Sequence, residues 1–149
     1  MKNTEKDVRQ ILSAKNVKIT KGRCLLLQIL IEQERPLSAE EIYRIFMEKG
    51  REISLSTVYR IVLTLAEKHI ITPLTLPAMD KTLYEYSEKH THHLVCTQCN
   101  KILPLTHCPL EEFTRHIEGN TGFVIQGHSL DMFGVCPDCA KVKEQKAKV

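Results

Sequence analysis

No stretch of this sequence is apolar for long enough to cross a bilayer, and none is of low complexity. A spanning helix needs about 20 consecutive apolar residues. No signal-peptide pattern opens the chain, so the expected compartment is the cytosol, with no membrane partner. Charge of one sign is also scarce: 21 Lys+Arg face 18 Asp+Glu, a formal net charge of +3. That balance alone argues only weakly for a nucleic-acid partner. With 42% hydrophobic and 26% charged residues, the 149-residue chain has a globular composition, enough for one ordinary domain or two small ones.

The residues that are present divide unevenly. Residues 1–80 carry 13 Lys+Arg and 10 Asp+Glu, and residues 81–149 carry eight of each. Six of seven histidines and five of six cysteines lie after residue 80. Four of those cysteines form two Cys-x-x-Cys pairs, Cys96-Thr-Gln-Cys99 and Cys136-Pro-Asp-Cys139, separated by 36 residues. In a reducing compartment, doubled pairs point to one tetrahedral Zn²⁺ held by four thiolates; two disulfides or a redox pair are the alternatives. A segment of about 60 residues buries little surface, so a structural metal is a common supplement to its core.

The first half reads as helices. Thr4 to Asp7 resembles a capping box. Thr20 is placed to cap a helix running through Gln33, whose centre, Cys24 to Ile31, is apolar nearly all round. Cys24 there is a small buried hydrophobe. Ser38-Ala-Glu-Glu41 is a second capping box, and Gly50 a stop. Val58, Ile61, Val62, Leu65 and Ala66 form a core stripe on the next helix. Its other face carries Thr57, Arg60 and Thr64, with Ser54, Ser56 and Tyr59 near the entrance. Short hydroxyls and one arginine behind a helix N-terminus suit a recognition helix in a major groove. Residues 70–76 and 82–86 read as a hairpin across 77–81, the wing of a winged helix. A helical bundle with a merely solvated polar face is the alternative.

In the second half, 93–96 and 101–105 read as strands flanking a knuckle. Residues 109–117 read as a helix with Leu110, Phe113 and Ile117 inward, and 123–135 as two strands meeting near Gly127 or Ser129. His90 and His92 fall on one side of an extended segment, Thr91 and His93 on the other. His90 and His92, with Glu111 and His128, make a candidate set for a second divalent ion: Zn²⁺ first, Fe²⁺ or Mn²⁺ also suitable. A surface histidine run without a fixed ion is the alternative. Cys108 reads first as an incidental turn position; beside His107, ligation is the alternative.

Catalysis finds little support. Zinc deaminases place a proline ahead of a Cys-x-x-Cys; here Pro137 lies inside the knuckle. No nucleophile or general base with its own partner stands out, and no small-molecule substrate is implied. A zinc-stapled module that binds protein rather than DNA is the other rival.

Taken together, Val17-Lys-Ile-Thr20 with Arg23, Leu37 to Tyr43, Ser56-Thr-Val-Tyr-Arg60, His90 to Cys99 and Phe133 to Cys139 resemble the ferric uptake regulator (Fur) family of metal-sensing bacterial repressors. The resemblance spans nearly the whole chain. It implies an α+β architecture: a winged helix-turn-helix DNA-binding domain over 1–82, a hinge over 83–89, and a small C-terminal α/β dimerisation domain with a tetrathiolate zinc site over 90–149. It implies a homodimer that binds palindromic double-stranded operators when metal-loaded. Lys18, Arg23, Ser54, Ser56, Thr57, Tyr59 and Arg60 are the expected DNA contacts, with Lys18 near the minor groove. Cys96, Cys99, Cys136 and Cys139 match the structural zinc ligands, and His90, His92, Glu111 and His128 a regulatory site. A further site usual in the family is depleted, because Pro36, Thr91 and Pro104 stand at its positions; Glu85 and His93 are its remaining candidates. Within the family, the histidine run, His107 to Glu111 and Cys-Pro-Asp-Cys resemble the zinc uptake regulator (Zur) group most. The peroxide-sensing group needs the ligands lost at Pro36, Thr91 and Pro104.

Overall fold

The structure, a computed structural model, describes residues 5–76, 79–105 and 107–148, apart from the side chains of Glu5 and Lys6. It divides into two compact units, Met1–Glu88 and Lys89–Val149. The expected Thr4 capping box and part of the 77–81 turn lie outside the described residues.

The first unit runs α1 (Glu5–Ala14), α2 (Lys21–Gln33), β1 (Leu37–Ser38), α3 (Ala39–Glu48), α4 (Leu55–Glu67), β2 (Thr72–Thr75) and β3 (Thr82–Glu85). Its helix starts follow from local chemistry. Thr20 caps α2 by accepting the Arg23 N–H at 3.2 Å. Ser38 and Glu41 exchange the two bonds of a capping box, at 3.2 and 2.8 Å, and so satisfy two otherwise orphaned donors. Ser54 caps α4 through Thr57 N–H. Leu12, Leu26, Leu27, Leu30, Ile42, Phe46, Val62 and Leu65 meet in one core. Cys24, 8% exposed, packs there as a small hydrophobe. Gly22 lets α2 approach α4 closely: a Cβ there would stand 3.2 Å from Ile61 Cδ1.

β3 pairs antiparallel with both β2 and β1, giving the sheet order β1-β3-β2. Helices α2, α3 and α4, the short strand β1 and the hairpin after α4 make a winged helix, with α1 packed on α2. β3 completes this sheet, the first unit extends through Glu88, and Leu83–Glu85, three of the seven residues read as a hinge over 83–89, belong to a wing strand.

The second unit contains β4 (His92–Cys96), β5 (Ile102–Leu105), α5 (Glu111–Thr121), β6 (Asp131–Gly134) and α6 (Pro137–Ala147). β4 is central, antiparallel to β5 and parallel to β6. Pro104 sits on edge strand β5, where its missing N–H costs no ladder bond. Only His92, His93, Val95 and Cys96 of this unit are buried among the described residues. Two expectations are corrected. Phe113 does not point inward; it is 58% exposed, and α5 buries none of its residues, since the small sheet offers too little surface to cover it. Residues 123–130 form no strand: β4 already has a neighbour on each side, and Phe123 and Val124 stay exposed. No helix among the described residues is long and apolar enough to cross a membrane.

Candidate metal centres and nucleic-acid interface

Cys96, Cys99, Cys136 and Cys139 bring their sulfurs within 4.8 Å of one another. Backbone pairing builds this cluster. Cys96 ends β4 in register with Gly134, and the knuckle turns back through Cys96 N–H to Lys101 O (2.9 Å) and Asn100 N–H to Cys96 O (2.9 Å), with Asn100 left-handed at φ 60. Thr97 N–H reaches Gly134 O at 2.8 Å and so fastens the first knuckle to the strand that leads into the second. Cys136 then caps α6 with Pro137 at its first position, which leaves Cys139 in the opening turn.

Cys99 and Cys136 sulfurs lie 3.8 Å apart. A zinc tetrathiolate with Zn–S near 2.3 Å has S···S edges of about 3.8 Å; a disulfide is about 2.05 Å. None of the six cysteines forms a disulfide. The set therefore has zinc geometry.

Its electrostatics are set by backbone donors and the neighbouring sulfurs. The Cys136 and Cys99 backbone N–H groups pull the Cys96 thiol down to about 6. Thiol contact with Cys136, then burial, pushes Cys139 up to about 12. Cys99 is also raised: the Lys101 backbone N–H lowers it, but neighbouring sulfurs and burial outweigh that. Without a cation, Cys96 is a stabilised thiolate beside Cys99 and Cys139 thiols that hold their protons. Zinc uptake at neutral pH should thus release protons, and affinity should climb as pH rises. Calorimetric titrations of reduced protein in buffers of different ionisation enthalpy check this; buffer-independent heats would contradict it.

The second cluster is built from imidazoles. His90, His92 and His128 converge with Cys108, all four ligand atoms again within 4.8 Å. His90 Nε2 is 2.8 Å from His128 Nε2, and His92 Nε2 is 3.2 Å from it. Cys108 Sγ stands 3.3 Å from His92 Nε2 and 3.2 Å from His128 Nε2. Those separations approach the edge of a tetrahedron with metal–nitrogen bonds near 2.0 Å, roughly 3.3 Å. His92 Nδ1 lies 3.1 Å from the Leu130 carbonyl, which can only accept; the N–H is therefore there and the Nε2 lone pair faces the centre. Burial, then the neighbouring His92 and His128, lowers the His90 pKa and keeps that ring a neutral ligand.

The expected membership changes at one corner. Glu111 does not join the imidazoles: it opens α5 as an exposed residue paired with Arg115 at 3.7 Å. Cys108, read from sequence as incidental, takes the place near the rings. Its signal was there, a cysteine beside His107 in a turn fixed by Pro109, but only the fold could bring residues 90, 92 and 128 to it. Glu85 and His93 belong to different units; His93 is buried with Nδ1 3.4 Å from Asp131 Oδ1. Neither joins a set of three or more ligand atoms among the described residues. A His-x-Glu, which sequence reading passed over, does occur at His116 and Glu118 on α5. His116 contacts Asn120, Glu118 accepts the Ile125 N–H, and neither belongs to a metal cluster.

On the first unit, Lys18, Arg23, Thr57, Arg60 and Thr64 line one open groove. The Lys18 carbonyl accepts from the Arg23 guanidinium at 2.8 Å, and Thr57 Oγ1 accepts from Arg60 at 3.2 Å, so both arginines are held along this face. Ser54 and Ser56 hydroxyls lie 3.0 Å apart at the α4 N-terminus. Tyr59 donates to Glu40 on α3 at 2.6 Å, a bond that lowers the Glu40 pKa and raises that of Tyr59. All seven residues expected at DNA thus lie on α4, at its cap or around the start of α2.

A winged helix followed by a thiolate cluster and an imidazole cluster defines a class of metal-binding transcription regulators. Residues 14–133 match the profile of the ferric uptake regulator family. The ferric uptake regulation protein of Campylobacter jejuni is 31% identical over 157 aligned positions, covering 100% of this chain and 98% of its own. The peroxide-responsive repressor PerR of Staphylococcus aureus is 27% identical, covering 83% and 82%. The crystal structure of the Vibrio cholerae ferric uptake regulator superposes with a TM-score of 0.72 at 30% identity, over 86% of this chain and 98% of that one. The chain belongs to the ferric uptake regulator family, whose members are DNA-binding transcription regulators and not enzymes.

Proposed function

We propose that this protein is a metal-responsive repressor that binds palindromic operators as a homodimer and that zinc is the metal it senses, placing it with the zinc uptake regulators. The observation that carries this is the imidazole cluster: a second set of converging donors, separate from the tetrathiolate and without a carboxylate. Imidazole and thiol donors favour zinc over Fe²⁺ or Mn²⁺, which are better served by oxygen-rich sets. A thiolate metal centre suits a reducing cytoplasm.

His90, His92 and His128 would hold the sensed ion, which when bound cross-links the entrance of β4 to the loop before β6. Those segments then have fewer arrangements, and the two winged helices of a dimer fewer relative angles. Half-sites about one helical turn apart favour one angle. Metal strengthens DNA binding only by its preference for that state. At the DNA, α4 presents Arg60, Thr57 and Tyr59, Lys18 and Arg23 flank it, and Glu40 steadies Tyr59.

The test begins with duplexes selected from a random pool by zinc-loaded protein. Their affinity is then measured with the second site loaded and selectively chelated. A large gain on loading is expected; equal affinities sink the switch. Zinc must also act at lower buffered free concentration than Fe²⁺ or Mn²⁺. Arg60→Ala should weaken binding without altering metal content and, if Arg60 meets a phosphate, reduce the salt slope by about 1. Unchanged affinity in a salt titration by fluorescence anisotropy removes Arg60 from the interface.

A further inference from the structure

We propose that Cys108 is the fourth ligand of the sensing site, so that the sensed ion sits in a set of three imidazoles and one thiolate, with Glu111 outside it. This deepens the metal-sensing reading and rests on it. Cys108 Sγ lies within 3.3 Å of two imidazole nitrogens that themselves converge on His90. The backbone prepares the position. Cys108 precedes Pro109, which disfavours the helical region for residue 108. The helix begins only at Glu111, whose carboxylate is engaged with Arg115 and 73% exposed. The residue with a carboxylate has left the centre, and a sulfur fills the vacated corner.

The chemical consequence is selectivity. A carboxylate keeps a site hospitable to Mn²⁺ and Fe²⁺; a thiolate shifts it towards Zn²⁺ and other borderline or soft ions. Cys108 therefore sets which ion the repressor answers to, while the three imidazoles set that it answers at all. It also makes the sensing site, like the tetrathiolate, dependent on a reduced thiol.

Cobalt reports the ligand directly, because thiolate–Co²⁺ bonds give an intense near-ultraviolet charge-transfer band that carboxylates do not. Full-length dimer is prepared with zinc retained in the tetrathiolate, verified by native mass spectrometry, and Co²⁺ is titrated into the second site. Wild-type protein should show the band, Cys108→Ser should lose it, and Glu111→Gln should keep it. Cys108→Ser should also weaken zinc by at least ~100-fold, since losing even outer-shell partners costs 10–100-fold. Alkylation mapped by mass spectrometry needs no variant: loading the second site should shield Cys108 in wild-type protein. A second cobalt that binds without the band, leaves Cys108 open to alkylation, and is weakened by Glu111→Gln overturns the assignment but spares the sensing site. Failure of any second ion to bind overturns both.

Discussion

Cys96→Ser is expected to leave the second unit unfolded and without its zinc while the winged helix stays intact. The reason is the imbalance between the two cores. The first unit buries a continuous set of leucines, isoleucines and Phe46, whereas the second buries two histidines, Val95 and Cys96 among its described residues. A unit so poor in apolar burial depends on its metal, and structural zinc supplies about 10–16 kcal/mol of apparent binding energy in small domains, comparable to the ~5–15 kcal/mol that separates folded from unfolded domains. Cys96 is the corner with most to lose. It is 4% exposed, its Sγ accepts the Cys136 N–H at 3.3 Å, and its backbone closes the knuckle. Serine keeps the shape but is a poor zinc ligand at neutral pH. Hydrogen exchange should show protection lost over residues 89–149 and retained over the helices of the first unit. A variant with native protection throughout would mean that the sulfurs are dispensable to the fold.

His90→Ala should have the opposite profile: folded, zinc-containing, and unresponsive to metal. His90 is exposed, so truncating it leaves no core cavity, and it takes no part in the tetrathiolate. It does remove one of the imidazoles, 2.8 Å from its neighbour. Allosteric couplings of 1–3 kcal/mol correspond to about 5–150-fold in affinity; the variant's gain in DNA affinity on metal loading should fall to nearly one. Parallel binding curves on the selected duplex, with zinc content and dimer state measured alongside, give the answer. Loss of the dimer or of the structural zinc would show that the two centres had been assigned the wrong roles.

How much of this was legible in the sequence depended on how local each signal is. The caps at Thr20 and Ser38 and the stripe Val58–Leu65 are local signals, and the structure has them in place. The knuckles are equally local, since Cys-x-x-Cys fixes its own turn. Strand pairing is not. Residues 123–130 have strand-like composition, yet β6 occupies that side of β4, and nothing in the spacing announced it. α6 was missed because a cysteine knuckle hides a helix start: Cys136 is its cap and Pro137 its first residue. The sensing cluster was half legible. His90 and His92 share a side by strand geometry, but the choice between Glu111 and Cys108 turned on where α5 begins. The helix read from 109 begins two residues later at Glu111, whose carboxylate turns to Arg115 while the thiol lies beside the rings. The wing strand over 82–86 was legible from its apolar alternation, and β3 pairs with both β1 and β2; only the hinge bounds overlapped it.

The central claim is that one ion holds the fold and another governs DNA binding. A graded chelator titration of the DNA-bound protein, followed together by native mass spectrometry, fluorescence anisotropy and circular dichroism, addresses it on a single sample. The account predicts that DNA is released as the first ion leaves each chain, with secondary structure unchanged, and that unfolding accompanies only the second. Departure of both ions in one step with unfolding, or DNA held unchanged after the first is gone, would contradict it.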